Sequence, residues 1–197
     1  MVCKKVLCIL MVVCVMGLSG CGGQKKNAES LGEEQMVKVP NGNKDGVWSD
    51  NMQMLREAVA DTLKENYWPQ APMGRDAVEE QFGISEDLYV DYMAEGPSSE
   101  EARDMLLIFK AGEDYGNQIE SALTTYHEKM LTDITVSPEN TVKLEGSRIE
   151  RIGDYICYVQ LGGNIGQISD ADAEEMVKQC REQNELAIAV LEKQLIH

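Results

Sequence analysis

Histidine is almost missing from this chain, with 2 in 197 residues, and basic side chains are few, 18 Lys and Arg against 34 Asp and Glu. The first shortage leaves little room for a His-rich metal centre or a His-based catalytic network. The second gives a formal charge of −16, the wrong sign for nucleic acid, whose phosphates need a basic face. Aromatic residues make up only 6 %, and all of them fall between Trp48 and Tyr158. The length still allows one domain with a real core, and a tail beside it.

What is present is most distinctive at the start. Lys4 and Lys5 precede an uncharged apolar run over residues 6–16, followed by Leu18-Ser19-Gly20-Cys21. A positive start, an apolar stretch of about 7–15 residues and small residues at a cleavage point describe a secretory signal peptide. The run falls short of the roughly 20 residues that a membrane-crossing helix needs. Leu18-Ser19-Gly20-Cys21 resembles the lipobox of bacterial lipoproteins. The resemblance implies cleavage between Gly20 and Cys21 and a diacylglyceryl thioether on Cys21, so residues 1–20 are expected to be removed. It also implies an extracytoplasmic protein held on the cell membrane by its lipid, since two acyl chains anchor stably where one would not. No other cofactor is expected, and no metal.

The six cysteines are therefore no disulfide scaffold. Cys3, Cys8 and Cys14 leave with the signal peptide and Cys21 carries lipid, which leaves Cys157 and Cys180. These read as buried thiols, with a strand-to-helix disulfide as the alternative. No neighbouring His or Cys pair completes a metal site around them.

Residues 21–46 are expected to form the lipidated N-terminus and a flexible tether. The stretch is rich in Gly, Asn, Lys and Glu without an aromatic residue, a composition that cannot bury enough surface to fold alone. As a coil of about 25 residues it spans on the order of 28 Å. The globular domain then occupies residues 47–197.

Within it, Asp50 is placed to cap a helix through about Asn66, with Met52, Leu55, Val59 and Leu63 on one face. Trp68-Pro69 and Ala71-Pro72 end it. A helical turn is expected from Asp76 to Phe82. Leu88, Val90 and Tyr92 alternate with Tyr89, Asp91 and Met93, which predicts a half-buried strand over residues 86–94, with a helix as the competing reading. Residues 105–109 are apolar on both faces and suit a central strand. A helix from Asp114 to Leu131 carries Tyr115, Ile119, Leu123, Tyr126 and Met130 along one stripe. After a loop around Pro138, residues 147–152 and 154–161 form a predicted hairpin turning at Gly153-Asp154. The last helix starts at Ser169 or Asp170 and reaches Leu195, with Asn184 the one polar interruption in its stripe. Together these predict an α+β fold of order α-β-β-α-β-β-α: a mainly antiparallel four-stranded sheet with helices packed on one side.

Three stretches, Phe82-Gly83-Ile84 with Leu88 to Met93, Ile108-Phe109-Lys110-Ala111, and Arg148 to Tyr155, resemble a family of uncharacterised bacterial lipoproteins. Its globular part is known only as a domain of unknown function. The resemblance implies the architecture and the envelope location and brings no functional residue with it.

Few residues invite a functional reading. Asp170-Ala171-Asp172-Ala173-Glu174 fails the calcium-loop pattern, with Glu175 at the sixth position and Arg181 at the twelfth, and reads as helix capping. Gly162, Gly163, Asn164 and Gly166 form the one glycine-rich loop after a strand. They lack the spacing of a dinucleotide fingerprint or a P-loop, yet they are the candidate ligand loop. His127 reads as partly buried packing. Arg148, Glu150 and Arg151 read as a solvated ladder of opposite charges. Tyr89 and Tyr92 are the candidate contact surface on an exposed sheet face, because tyrosine is favoured in interfaces. No catalytic residue stands out. The expectation is a non-catalytic binding or interaction domain at the cell envelope, taking an envelope protein or a small ligand. The alternative is a small extracytoplasmic hydrolase using carboxylates or a metal.

Overall fold

Asp91 on the sheet and Ser49 at the head of the first helix show how local signals become tertiary structure. The Ser49 hydroxyl accepts from the Met52 N–H and donates to Asp91 Oδ2 at 2.6 Å. Ser49 rather than Asp50 is therefore the N-cap of α1 (Asp50–Leu63), and the cap ties the helix to the sheet. The computed structural model describes residues 48–97, 103–133, 135–163, 165 and 172–196. The chain divides into two units, Met1–Met36 and Val37–His197, and every described residue belongs to the second.

After α1 come β1 (Ala71–Pro72), α2 (Arg75–Phe82), β2 (Tyr89–Gly96), β3 (Met105–Ala111) and α3 (Gly116–Thr132). They are followed by α4 (Pro138–Gly146), β4 (Arg148–Ile152), β5 (Tyr155–Gln160) and α5 (Ala173–Leu195). The sheet has five strands in the order β1-β2-β3-β5-β4, and every neighbouring pair is antiparallel. The four-strand expectation missed β1, a two-residue edge piece. Its Pro72 lacks an N–H, which an edge strand tolerates.

The expectation of helices on one side is also corrected. β3 and β5 are buried on both faces, so water must be kept from each. On one face Leu107, Phe109, Ile156 and Tyr158 pack with Val78 and Phe82 of α2 and Ile119, Leu123 and Tyr126 of α3. On the other, Met93, Leu106, Ile108, Cys157 and Val159 pack with Met52, Leu55 and Val59 of α1 and Ala187, Ile188 and Leu191 of α5. The element order differs from the expected one as well, because the segment around Pro138 is a helix. Ser137 accepts from the Asn140 N–H and Pro138 opens α4, a favoured first-turn position for proline.

Other expectations hold. β4 and β5 form the hairpin, with Gly153 at φ 60° in its turn, a backbone state glycine adopts without strain. α5 instead opens at Ala173, later than the expected start at Ser169 or Asp170, which lie outside the described residues; its cap is Asp172, whose side chain accepts from the Glu175 N–H at 2.9 Å. Asn184, the polar break in its stripe, is buried and fully used. Its Oδ1 accepts from the Leu161 N–H at 2.8 Å and its Nδ2 donates to the Gly146 carbonyl at 2.9 Å.

Candidate functional site

Residues 86–94 are a 3-10 turn (Glu86–Leu88) leading into strand β2, not a longer helix. The register against β3 slips between Tyr89 and Asp91, so a β-bulge breaks the alternation that the sequence suggests. Val90 is pushed into solvent at 49 % exposure, while Tyr89 and Tyr92 fall on the same inner face at 7 % and 3 %. Their rings lie 5.1 Å apart and both pack on Phe109. Neither tyrosine forms an exposed contact surface. A bulge adds one residue and turns the following side chains to the other face, and nothing in the residue types announces it.

The glycine loop is closed at its start. The Gly162 N–H donates to Asp104 Oδ1 at 2.8 Å. A Cβ on Gly163 would lie 2.8 Å from the Asn66 carbonyl oxygen. Both glycines are buried by close approach of other elements, and Gly162 offers no unused N–H. Asn164 and Gly166 lie outside the described residues, as do Gly20 and Cys21.

Sequence reasoning did not foresee two buried ionic clusters at one end of the sheet. Glu95, at the end of β2, receives both Nε and an Nη of Arg56 at 3.0 and 3.1 Å, together with the Tyr67 hydroxyl. The Arg56 guanidinium also stacks 4.9 Å over the Tyr67 ring. Asp104, just before β3, pairs with Lys143 of α4, whose ammonium sits 5.4 Å from the Trp68 ring. Burial and the neighbouring Glu95 carboxylate push the Tyr67 hydroxyl far up, so it stays a proton donor. Both carboxylates are thus spent on internal cations and donors. Each group is satisfied by its partners inside the fold, and neither carboxylate lines the two clefts on the α2 and α3 side.

Cys157 and Cys180 are free and buried, in different apolar clusters. Burial pushes both thiols up to about 12, which suppresses the thiolate that reactivity requires. His127 accepts or donates at Nδ1 with the Ser147 hydroxyl at 3.2 Å and meets the edge of the Tyr158 ring. Burial holds its pKa below the usual value. In the hairpin, Arg148 pairs with Glu150 and Glu185 as expected of a charge ladder, but Arg151 turns to Asn117 instead. Among the described residues, no group of three or more His, Cys, Asp or Glu is arranged to hold a metal ion. No helix among them is long and apolar enough to cross a membrane.

Among the described residues, two clefts lie on the α2 and α3 side. One cleft of about 610 Å³ is lined by β1, the start of α2, the ends of the β2–β3 connection and Tyr126 of α3. A shallower groove of about 630 Å³ runs between α2 and α3, past Asn117, Ser121, Thr125 and Lys129. Gln81 and Tyr126 line both, and Gln81 Nε2 donates to the Tyr126 hydroxyl at 3.3 Å. The groups available are those of a binding surface: amides, hydroxyls, thioethers and two cations.

The fold and its concave face define a mixed α+β domain with a helix-covered antiparallel sheet. Comparison with protein families identifies the part of the chain concerned: a DUF4358 domain, described as a domain of unknown function, is found at residues 64–161. No curated protein and no solved structure matches the chain.

Proposed function

We propose that the protein is a bacterial lipoprotein, anchored outside the cell membrane by a lipid on Cys21. Its α+β domain is a non-catalytic binding domain for an envelope protein or a small ligand. The observation that carries the anchor is Leu18-Ser19-Gly20-Cys21 directly after an uncharged apolar run. The small residues give a peptidase access to the backbone, and the thiol is the side chain that can carry a thioether. Supporting the binding role, the buried carboxylates are neutralised inside the fold while the open clefts are lined by groups that hold a ligand rather than transform it.

The test expresses the full chain and its Cys21→Ala variant in bacteria fed an alkyne-tagged fatty acid. The full chain is expected to take the label and to yield a mature N-terminus at Cys21, and the variant to lose both. Label retained on Cys21→Ala, or a mature chain starting elsewhere, overturns the anchor. For the binding role, crosslinking in intact cells is expected to recover an envelope component or bound small molecule; recovery of the protein alone counts against it.

A further inference from the structure

The sheet ends in two unlike edges. β1 is two residues long and holds Pro72, which has no N–H to offer a further strand. β4 runs for five residues in unbroken register against β5, without proline, glycine or bulge, and such an edge can template another strand. The turn at Gly153-Asp154 lies between the paired residues Ile152 and Tyr155, and a two-residue turn closes on a hydrogen-bonded pair. Ile152, Glu150 and Arg148 therefore spend their backbone groups on β5, while Ile149 and Arg151 turn theirs outward. Among the described residues, no backbone group of another element bonds to either of those two.

The two faces of β4 differ. Ile149 packs toward the α2–α3 layer. Arg148 and Glu150 share the other face, where Arg148 lies 3.2 Å from Glu150 and 3.7 Å from Glu185 of α5. One guanidinium thus serves two carboxylates, and the Glu150 side chain, 33 % exposed, has room for a second cation.

We propose that β4 pairs antiparallel with β4 of a second copy of this chain, about a twofold axis at Ile149. Opposed residues must share a face and outward backbone must meet outward backbone, so the axis passes through a residue rather than between two. An axis at Arg148, Glu150 or Arg151 sets that charge against its own copy, which destabilises a strand pair. At Ile149 the charges alternate instead. Arg148 of each copy lies opposite the partner's Glu150, and Ile149 meets the partner's Ile149 on the other face. The two Ile149 residues exchange both backbone hydrogen bonds, and the charges fall in the non-hydrogen-bonded positions, where side chains approach most closely. Charges on an edge deter strands of unmatched pattern; this pattern is its own complement. One strand pair and two charge pairs make a small contact, so the dimer is reversible and weakened by salt.

The full chain, in detergent matched in density to the solvent, is measured by sedimentation. The native sequence is expected to dimerise reversibly. Glu150→Arg and Arg148→Glu are each expected to weaken the dimer at least tenfold, because each sets like charges opposite one another. Their equimolar mixture restores both attractive pairs and is expected to associate within threefold of the native sequence, with thermal unfolding used to check that each variant folds. Ile149→Cys, oxidised in membranes of the expressing cells, is expected to join two copies, since Cα atoms across a hydrogen-bonded pair lie about 5.5 Å apart. Arg151→Cys, four residues out of step with its own copy, is not, and this comparison holds even if the charge variants fail to fold. A native chain that stays monomeric, dimers indifferent to both charge variants, a mixture that stays monomeric, or Arg151→Cys joining as readily as Ile149→Cys overturns the proposal. Ile149→Cys joined to a different protein assigns the edge to another strand and overturns it as well. None of these outcomes touches the lipid anchor or the clefts beside α2 and α3.

Discussion

Lys143 and Asp104 form an ion pair that water does not reach: their side chains are 7 % and 0 % exposed, and they lie 39 residues apart in the chain. Through it, α4, the start of β3, the Gly162 turn and the Trp68 segment are drawn to one point. A buried pair gains little over an apolar substitute, but losing one partner leaves an uncompensated charge. Lys143→Met should therefore cost about 3–5 kcal/mol in urea unfolding. Adding Asp104→Asn should recover much of that loss, because the amide oxygen still accepts from the Gly162 N–H. A loss under about 1 kcal/mol for the single variant would place the pair with exposed salt bridges.

Tyr89 gives the opposite sign. Its hydroxyl is buried with no hydrogen-bond partner among the described residues, an arrangement that costs about 1–3 kcal/mol. Tyr89→Phe keeps the ring against Tyr92 and Phe109 and removes the orphaned oxygen. The melting temperature should rise; a fall would mean that the hydroxyl is satisfied.

Two glycines around Cys180 separate backbone from side-chain crowding. A Cβ on Gly146 would meet Cys180 Cβ at 2.5 Å and the Arg181 N at 3.1 Å, whereas one on Gly162 would meet Lys143 Cγ at 2.8 Å and Cys180 Sγ at 2.9 Å. Both alanine variants should destabilise, by about 1–3 kcal/mol for overpacking. Cys180→Ala should relieve Gly162→Ala in part and Gly146→Ala hardly at all, because Cβ and backbone remain. Equal rescue in a double-variant cycle would refute the distinction.

The thiols predict a pH window. Burial raises Cys157 and Cys180 to about 12 from an ordinary value of 9.0. With the folded pKa raised, their contribution to stability is complete below about pH 9 and is lost as the pH climbs from there toward 12. Urea midpoints between pH 8 and 11 should fall more steeply for the native sequence than for Cys157→Ala/Cys180→Ala. At pH 8 neither thiol should react with Ellman's reagent until the protein is unfolded. Prompt reaction in the folded state would contradict their burial.

The elements that the sequence announces are those governed by neighbours along the chain. The α1 and α3 stripes, the Gly153-Asp154 turn and the apolar runs of β3 and β5 all follow from spacing. The same β3 run, apolar on both faces, demands a helical layer on each side of the sheet. α4 was hidden because Pro138 reads as a breaker unless Ser137 is recognised as the cap before it. What stayed out of reach was long-range: the bulge at Val90, and the union of Glu95 with Arg56 and Tyr67 or of Asp104 with Lys143. Each charge looks like any other surface charge until the fold encloses it. The cleft at Gln81 and Tyr126 is illegible for the same reason, since β1, α2, α3 and the start of β3 each bring only a part of it.

The placement of α1 and α5 sets a limit on how the protein can be cut. The segment at residues 64–161 holds the whole sheet and the α2–α3 layer but begins after α1 ends at Leu63 and stops before α5 starts at Ala173. A fragment trimmed to those bounds would present Met93, Leu106, Ile108, Cys157 and Val159 to water as one unbroken apolar sheet face, the kind of surface that drives aggregation. The two helices that mask that face stand at opposite ends of the domain sequence. A ribosome must therefore deliver α5 before the layer over that face is complete, and an expression fragment meant for binding studies has to keep both helices.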